Sequence, residues 1–593
     1  MNKNKETQLK QQIMQLAQQK KYLEAKKIAL KLTKVLPKDV EVWFALAQLQ
    51  ENLGEFELAV KSYYQVCQGP SPRYAVAVER AVILCWQHKF LSLGVAPARE
   101  LIKLKPKSAD AFFYLGFFWF ESRHYLTAEP YLTKAAELAP ENDLYQNYCG
   151  QLHTFIAQPE KAINYYEKGQ KLNADNKSVF TSSVMTHNYA DSISDERVFK
   201  AHRSYGEKIE REFLKNNALV VHESSRPKRL KVAYISPDFK SHSVSYFFKA
   251  IIESYSKDVF EVICYSDVEA PDAMTKYFED LSDHWCESHG MTDEELYQRI
   301  IADRVDILVD LTGYAGSVRL GVFARRAAAV QVTYLGYPNT TGLSQMDYRV
   351  TDNWSDPEGQ TDEFYTESLR RLPSGFLCFT PASDAPGVSD LPALKEGVKG
   401  VCFGSFNAFA KISPTLIGIW VKLLLAVPTS TLYLKAKPLC EGALCERLWE
   451  EFEKGGVDRK RVLLQGWELE ISSHLEQYSK VDIHLDSYPY NGTTTVCESL
   501  WQGVPVISLA GRSHRSRVGL SLLSQVGLED YVAQSESEYI NIAVDKASNL
   551  AELAKLRTVL RGRMRESSVV DRAAFIGELE DAYEKMWEEK SLN

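Results

Sequence analysis

The sequence of 593 residues has no long apolar run and no organised group of cysteines. Its longest apolar stretch, residues 111–120, is well short of the roughly 20 residues that a membrane helix needs. The ten cysteines are scattered without a Cys-x-x-Cys pair, so we interpret them as reduced packing residues. The first residues, MNKNKETQLKQQ, lack the apolar core of a signal sequence, and we therefore expect a cytoplasmic protein without a membrane segment.

The sequence also lacks an excess of positive charge and the usual phosphate-binding motifs. Its 70 Lys and Arg against 78 Asp and Glu give a formal net charge of −8, which argues against a nucleic-acid partner. Neither G-x-G-x-x-G nor G-x-x-x-x-G-K-[ST] occurs, so dinucleotide and P-loop sites lack their glycine-rich loops. No Asp-x-Asp pair is present to hold a divalent ion against a sugar nucleotide, and we expect no metal and no cofactor.

The first part of the chain carries a helical repeat. The prolines that mark it, spaced by 35, 34 and 34 residues, are Pro37, Pro72, Pro106 and Pro140. Small residues recur with the same period where two helices would cross, as Gly116 and Gly150 do. This pattern resembles the tetratricopeptide repeat. We expect residues 1–190 to form an α-solenoid, with either a groove for extended polypeptide or a role as a rigid spacer or dimerisation arm.

From about residue 226 onwards, short β-branched runs alternate with helical stretches. These runs are residues 230–236, 260–266, 305–311 and 330–337, and then 400–406, 430–437, 461–467, 481–487 and 504–511. Most are apolar throughout, as strands buried on both faces of a parallel sheet are. We predict two doubly wound, Rossmann-like α/β halves, residues 226–390 and 391–593, that face each other across a cleft. Residues 191–225 and 381–399 are interpreted as linkers.

Ligands of open parallel sheets bind beyond the carboxyl ends of the strands. After the run 481–487, a loop leads to Thr493, Thr494 and Thr495, which we expect to begin a helix. Threonine is a favourable N-cap, and the free N–H groups of a helix start bind anions. Glu498, one turn further on, is placed to accept hydrogen bonds from ribose hydroxyls, although a solvated side chain on a capped helix is the simpler alternative.

Two lysines follow strands of the second half. Lys411 lies just after the run 400–406 and near Asn407, and Lys437 ends the run 430–437. Both are on the expected ligand side, where an ammonium group could bind phosphate. A solvated surface position for Lys411 and a cap on the sheet edge for Lys437 are the structural alternatives.

Two histidines could act on a ligand directly. His242 lies in the turn after the first strand of the first half, where an imidazole could serve as a general base or as a structural hydrogen-bonding group. His474 lies on a helical stretch before the run 481–487 and could stack on a nucleotide base. His484, inside that run, is interpreted as a core residue.

Residues 226–593 resemble the C-terminal domain of SPINDLY proteins and, more distantly, the O-GlcNAc transferases. The matching segments are HSVSYFF, VQVTYLGYPNTTGL, MDYRVTD, FGSFNAFAKISP, YPYNGTTTVCESLWQGVPV and VGLSLLSQVGLEDYVA. Tetratricopeptide repeats precede the same domain in both relatives. The resemblance implies an inverting, metal-independent glycosyltransferase of the B-type fold, which moves a sugar from a nucleotide diphosphate to Ser or Thr hydroxyls of proteins.

The resemblance also implies residue roles. Lys411 matches the lysine that contacts the donor diphosphate, and His242 matches a histidine proposed as a base or acceptor-side residue; these two are the expected catalytic residues. The residues expected to bind the donor are Asn407, Lys437, His474, Thr493, Thr494, Thr495 and Glu498. Among them, Glu498 takes the place of the ribose-binding acid and His474 that of a histidine near the nucleobase.

Departures from the O-GlcNAc transferases bear on the donor. Those enzymes carry His in place of Thr493, Asp in place of Glu498 and a second His in place of Tyr246. The differences side with SPINDLY, whose members are similar to protein O-fucosyltransferases that use GDP-fucose. The segment SHRSRVG departs from the SPINDLY pattern, because Arg517 replaces a polar residue and Arg515 adds charge.

We therefore predict a protein O-glycosyltransferase with GDP-fucose as the favoured donor. A UDP-GlcNAc-dependent enzyme is the first alternative, and a peptide-binding scaffold without transferase activity is the second. The expected partners are protein or peptide acceptors bound along the repeat groove, and the resemblance makes a homodimer plausible.

Overall fold

The structure is a computed structural model that describes residues 3–68, 71–214, 228–467 and 471–591. The α-helices of these residues are α1 Lys3–Gln18, α2 Tyr22–Val35, α3 Val40–Asn52, α4 Phe56–Val66, α5 Tyr74–Gln87, α6 Leu91–Leu104, α7 Ala109–Glu121, α8 Tyr125–Leu138, α9 Asp143–Phe155, α10 Pro159–Leu172, α11 Lys177–His187, α12 Asp195–Leu214, α13 Ser245–Ser254, α14 Ala273–Leu281, α15 Asp293–Asp303, α16 Leu320–Ala324, α17 Pro414–Ala426, α18 Gly442–Lys454, α19 Ile471–Glu476, α20 Thr494–Trp501, α21 Val518–Gln525, α22 Glu536–Ser548, α23 Leu550–Arg565 and α24 Arg572–Ser591. The β-strands are β1 Leu230–Ser236, β2 Phe260–Ser266, β3 His284–Glu287, β4 Ile307–Asp310, β5 Val330–Thr333, β6 Tyr348–Thr351, β7 Ser368–Arg371, β8 Cys402–Ser405, β9 Thr431–Lys435, β10 Val462–Gln465, β11 Ile483–Leu485, β12 Val506–Leu509 and β13 Val532–Ala533.

The chain divides into two compact units. One consists of residues 1–156 and 164–175, and the other of residues 157–163 and 176–593. The first unit is helical and the second contains all the described strands. Within the described ranges, no helix is both long enough and apolar enough to cross a membrane.

The first unit is built from helix pairs, as the repeat period predicts. The four repeat prolines follow α2, α4, α6 and α8 and mark the ends of the helix pairs, whereas Pro97 and Pro130 lie inside α6 and α8. Side chains cap several of the following helices; the Ser108 hydroxyl, for example, accepts from the Ala111 N–H. Glycines allow the helices to approach closely: a Cβ added at Gly116 would lie 2.7 Å from Leu132 Cγ. The predicted solenoid is confirmed.

The second unit contains two fully parallel sheets, which confirms the predicted pair of α/β halves. The first sheet has the strand order β3-β2-β1-β4-β5-β6-β7, and the second has the order β10-β9-β8-β11-β12-β13. The central strands of both are buried. In each sheet the order reverses beside the strand that begins the series, between β1 and β4 and between β8 and β11. Such a reversal opens the crevice in which ligands of this fold class bind.

The segment 191–225 is not simply a linker. Residues 195–214 form α12, whereas residues 215–227 lie outside the described residues. Helix α12 packs on the first α/β half: His202 Nε2 lies 2.6 Å from the Tyr337 hydroxyl, and a Cβ on Gly206 would meet the Gly342 carbonyl oxygen at 2.2 Å. The helix forms because Val198, Ala201, Tyr205 and Ile209 repeat at helical spacing and bury one face.

The two halves are joined twice. The chain passes from the first half to the second after β7, through residues 372–401, and returns in α24, whose Tyr583 hydroxyl lies 3.3 Å from that of Tyr234 on β1. The Phe379 N–H donates to the Val569 carbonyl at 2.7 Å where these two crossings meet. The two crossings are therefore in contact with each other.

Candidate functional site

The predicted site residues of the second half lie at its strand-order reversal. Lys411 follows β8, and the segment 486–493, which we call the donor loop, follows the neighbouring strand β11 and ends at α20. Strands β8 and β11 pair through Phe403–Ile483 and Gly404–His484. Because both strands end at the same edge, their following segments meet there, and an isolated bridge joins Ile412 to Tyr488.

Lys411 is held by the donor loop. Its Nζ donates to the Asn491 backbone carbonyl (2.9 Å) and lies 3.6 Å from the centroid of the Tyr490 ring. Burial of the ammonium lowers the pKa of Lys411 to about 8, although the nearby Asp486 carboxylate opposes the shift. The site therefore keeps a desolvated cation that is still charged at neutral pH, which is suited to stabilising an anion.

Asp486 organises the donor loop. Its carboxylate accepts from the Gly492 N–H (2.7 Å), the Ser487 N–H (2.8 Å) and the Ser508 hydroxyl (2.8 Å). Burial raises the pKa of Asp486 to about 6, and these hydrogen bonds and Lys411 act against the rise. The carboxylate thus fixes the turn that brings the loop from β11 to α20.

Asn407 connects the two segments. Its side-chain oxygen accepts from the Thr495 hydroxyl (2.8 Å), and the residue is 2% exposed. Its amide nitrogen finds no hydrogen-bond partner among the described residues. A buried donor of this kind costs free energy unless a ligand satisfies it, so Asn407 fits a site for an anionic or carbonyl-bearing ligand.

The helix start has the predicted position but not the predicted cap. Helix α20 begins at Thr494 and Thr493 occupies the N-cap position, yet the Thr493 side chain makes no capping hydrogen bond. The reason is its backbone: φ −112° and ψ −75° differ from the extended geometry that directs a cap side chain to the first turn. The N–H groups at the start of α20 are therefore not satisfied by that side chain, as an anion site requires.

His474 and Glu498 are in direct contact. His474 Nε2 lies 3.1 Å from Glu498 Oε2, and His474 Nδ1 lies 2.8 Å from Lys435 Nζ. An ammonium can only donate, so Nδ1 accepts and the ring proton is on Nε2, from which it is donated to the carboxylate. Both ring nitrogens are engaged, and the rings of Phe406, Trp467 and Tyr478 surround the imidazole.

The Trp467 ring adds an aromatic surface to this group. It lies 6.0 Å from the His474 ring at an interplanar angle of 26°, and Lys437 Nζ lies 4.3 Å from its centroid. Trp467 is 48% exposed. Lys437 is exposed two residues after β9, beside the aromatic surface.

His242 belongs to the opposite wall of the cleft. Its side chain is 43% exposed, and Nδ1 lies 3.6 Å from Asp238 Oδ1 and 3.3 Å from the Val244 N–H. Burial lowers the pKa of His242, Asp238 raises it, and the positive charges of Lys240 and Lys437 lower it further. The Val244 N–H donates to Nδ1, which places the proton of the neutral ring on Nε2, so Nε2 can accept a proton only once Nδ1 carries the proton and donates it to Asp238 instead.

Charged groups of one half also act on titratable groups of the other. Lys437 in the second half acts on the pKa of His242 in the first. Likewise Tyr246, the second residue of α13, has its pKa raised to about 12 by burial and then by the negative charge of Glu498. His242 and Tyr246 of the first half thus lie near Lys437 and Glu498 of the second.

Several site residues were not among those predicted from the sequence. They are Lys435, Tyr478, Asp486, Tyr490 and Asn491. Asp486 carried a usable signal, since it is an acidic residue at the carboxyl end of a buried strand. Lys435, the last residue of β9, carried the same kind of signal, but its contact with His474 spans 39 positions of sequence and could not be predicted. His484 is fully buried, as predicted, and its Nε2 accepts from the Phe406 N–H at 3.2 Å.

The chain is similar to known proteins and to a known protein family. The family model described as glycosyl transferase family 41 matches residues 200–381 and 394–579, and a tetratricopeptide-repeat model matches residues 40–68. A protein of Arabidopsis thaliana named probable UDP-N-acetylglucosamine–peptide N-acetylglucosaminyltransferase SPINDLY is 41% identical over 422 residues, which is 70% of this chain and 46% of that protein. The corresponding peptide N-acetylglucosaminyltransferase of Caenorhabditis elegans is 24% identical over 481 residues, covering 61% of this chain and 41% of that one.

A solved structure matches most of the chain. A mutant O-GlcNAc transferase of Thermobaculum terrenum superposes with a TM-score of 0.75 at 31% identity, covering 91% of this chain and 98% of that one. By contrast, the chain spans about half the length of the curated relatives it matches. The predicted resemblance to SPINDLY proteins and O-GlcNAc transferases is confirmed.

Proposed function

The chain belongs to glycosyltransferase family 41, and from this premise we propose that it transfers a sugar from a nucleotide diphosphate to Ser or Thr hydroxyls of proteins. One observation carries the proposal: the Lys411 ammonium and the start of α20 converge at the strand-order reversal of the second sheet. A cation and free amide hydrogens at that edge suit a departing diphosphate.

The proposed chemistry follows from where charge develops. As the bond between the sugar and the diphosphate breaks, negative charge grows on the diphosphate, and Lys411, Asn407 and the start of α20 stabilise it. His242, on the opposite wall of the cleft, takes the proton of the acceptor hydroxyl. Because a protein cation performs the neutralisation, we propose that the reaction needs no metal.

The donor nucleotide lies, in this proposal, along the second half. Glu498 binds the ribose hydroxyls, and the His474 and Trp467 rings with Lys437 form the base-binding surface. We favour GDP-fucose because Thr493, Glu498 and Tyr246 differ from the O-GlcNAc transferases. The competing donor is UDP-GlcNAc, which the printed names of the relatives support. The helical repeats bind the protein acceptor.

The test is transfer measured by mass spectrometry on an acceptor peptide mixture, with each donor and in EDTA. We expect transfer by the wild-type chain and a loss of about 10²–10³-fold in Lys411→Met, which is typical when one oriented donor to developing charge is removed. Lys399→Met, an exposed lysine of the same half, is the matched control. Unchanged transfer by Lys411→Met, or nucleotide binding without any transfer, would contradict the proposal.

Thermal shift with GDP, UDP, GDP-fucose and UDP-GlcNAc separates the two donors. Selective stabilisation by the guanine nucleotides supports GDP-fucose, since a ligand that binds the folded state raises its stability according to its affinity. Preference for the uracil nucleotides replaces it with UDP-GlcNAc.

A further inference from the structure

The segment between α11 and α12 reaches the donor loop through one buried side chain. Arg515 is 4% exposed and lies in the loop before α21. Its Nη1 donates to the His187 carbonyl (2.7 Å) and, more weakly, to the Ala190 carbonyl (3.4 Å), and its Nη2 lies 3.3 Å from Asp195 Oδ1. Three groups of one segment, which we call the tether segment (residues 187–195), are thus held by one guanidinium.

The main chain of Arg515 holds the donor loop at the same time. Its carbonyl accepts from the Asn491 N–H at 2.8 Å. The carbonyl of that same Asn491 receives the hydrogen bond from Lys411 Nζ at 2.9 Å. Arg515 and the Lys411 ammonium are therefore connected through a single residue, Asn491.

A second contact runs from the tether segment to Lys411. The Tyr189 ring stacks on the Tyr490 ring at 5.7 Å and 22°, and the Lys411 ammonium lies 3.6 Å from the centroid of Tyr490. Arg515 thus holds Tyr189 against Tyr490, the residue whose ring contacts the Lys411 ammonium. Removal of the guanidinium would release the tether segment and with it the Tyr189–Tyr490 contact, whereas the main-chain hydrogen bond to Asn491 would remain.

The burial of Arg515 also calls for an explanation. A buried guanidinium pays a large desolvation cost, and here it meets one carboxylate at 3.3 Å while its Nε has no partner among the described residues. A well-packed apolar side chain would be at least as stable in such a place. The desolvation cost of the Arg515 guanidinium is explained if the guanidinium positions the groups that it contacts.

We propose that Arg515 is a positioning residue, which fixes the tether segment against the donor loop and thereby holds the Lys411 ammonium in place for the leaving diphosphate. This inference rests on the proposed function. It makes the segment between α11 and α12 part of the transferase site. It also gives a role to a charge that departs from the SPINDLY pattern.

The charged and titratable groups around Lys411 determine how a change in its pKa is interpreted. They are Asp486 at the end of β11, Tyr490 in the donor loop and, beyond Tyr490, Arg349 on β6, which acts on the Tyr490 hydroxyl. None of these is altered by substituting Arg515. A change in the titration of Lys411 would therefore report that its ammonium has moved toward solvent.

The experiment compares Arg515→Met, Arg515→Lys and the control Arg512→Met, an exposed arginine of the same loop. In Arg515→Met we expect kcat to fall about 10-fold or more, with a smaller change in donor KM, and the fall of activity at alkaline pH to move upward by about one pH unit as Lys411 regains solvent. Arg515→Lys should recover part of both effects, and Arg512→Met should match the wild type. A lower Tm with an unmoved alkaline limb in Arg515→Met would mean a merely structural role and overturn the inference.

A second measurement does not depend on turnover. Competitive acetylation over a range of pH, followed by mass spectrometry of the peptide that contains Lys411, gives the pKa of this lysine directly. A higher pKa in Arg515→Met than in the wild type supports the inference, and equal values overturn it. If the wild-type chain transfers no sugar, the proposed function fails, and this titration still decides the role of Arg515.

Discussion

At the scale of the residue, the site depends on a lysine whose charge is both retained and poorly solvated. Lys411 lies between the Asn491 carbonyl and the Tyr490 ring, with Asp486 as the nearby opposite charge. In water an ammonium interacts weakly with phosphate, whereas in a desolvated position the same charge acts far more strongly. The electrostatic contribution of the site is therefore tied to a depressed pKa.

The first prediction concerns pH. Desolvation lowers the pKa of Lys411 to about 8, so its ammonium is present below that value and is lost above it. We expect kcat/KM, which reports the ionisation of the free enzyme, to fall above about pH 8. In Lys411→Arg the guanidinium stays charged, and the alkaline fall should disappear at a reduced overall rate. A wild-type profile that stays flat to pH 10 would show that no ammonium of this kind is needed.

The second prediction concerns His242. We expect His242→Ala to reduce kcat by less than the about 10²–10³-fold expected for Lys411, because water or a phosphate oxygen can also accept the hydroxyl proton. The acid limb of the rate profile should change together with the rate. His284→Ala, an exposed histidine of the same half, is the control. A reduced rate without any change in the acid limb would point to a positioning role and not to a base.

At the scale of the element, the donor loop and α20 form one construction. Asp486 anchors the loop at Gly492, and Thr495 in the first turn of the helix donates to Asn407 across the β8–β11 pair. The loop has no room for a side chain at Gly492: a Cβ there would lie 2.5 Å from Thr495 Oγ1 and 2.6 Å from Asn407 Oδ1. The close approach explains why glycine occupies this position.

The third prediction follows from that geometry. Gly492→Ala should break the Thr495–Asn407 hydrogen bond and shift the helix start, so we expect donor-nucleotide affinity to fall about 10-fold or more while the chain remains folded. Gly418→Ala on α17 is the matched control, because its Cβ meets nothing within 4 Å and alanine favours a helix interior. Calorimetric titration of nucleoside diphosphate measures both. Equal affinity in Gly492→Ala and the wild type would contradict the role assigned to the helix start.

At the scale of the whole molecule, the sequence predicts the architecture but not the contacts between residues that are distant in sequence. The repeat prolines and the apolar runs are local patterns, and they predicted the solenoid and most of the central strands. The short edge strands His284–Glu287 and Ser368–Arg371 were not predicted, because they are partly exposed and only four residues long. Helix α12 was interpreted as a linker, although its apolar residues recur at helical spacing.

The site could be predicted in part for the same reason. Lys411, Thr494 and Thr495 follow strand ends, which a sequence indicates, and their place at the strand-order reversal follows from the topology. The partners of these residues could not be predicted. Asn491 lies 80 positions from Lys411 and Asn407 lies 88 positions from Thr495, and only the fold brings them together.

The central claim is that a protein ammonium and the start of a helix neutralise the diphosphate of the donor without a metal ion. The most direct measurement is calorimetric binding of a nucleoside diphosphate and its monophosphate to the wild-type chain and to Lys411→Met, in EDTA. We expect the wild type to prefer the diphosphate by about 10-fold or more, which corresponds to about 1.4 kcal/mol, and Lys411→Met to lose that preference while binding the monophosphate almost unchanged. The same preference in both chains, or diphosphate binding that appears only when manganese is added, would contradict the account.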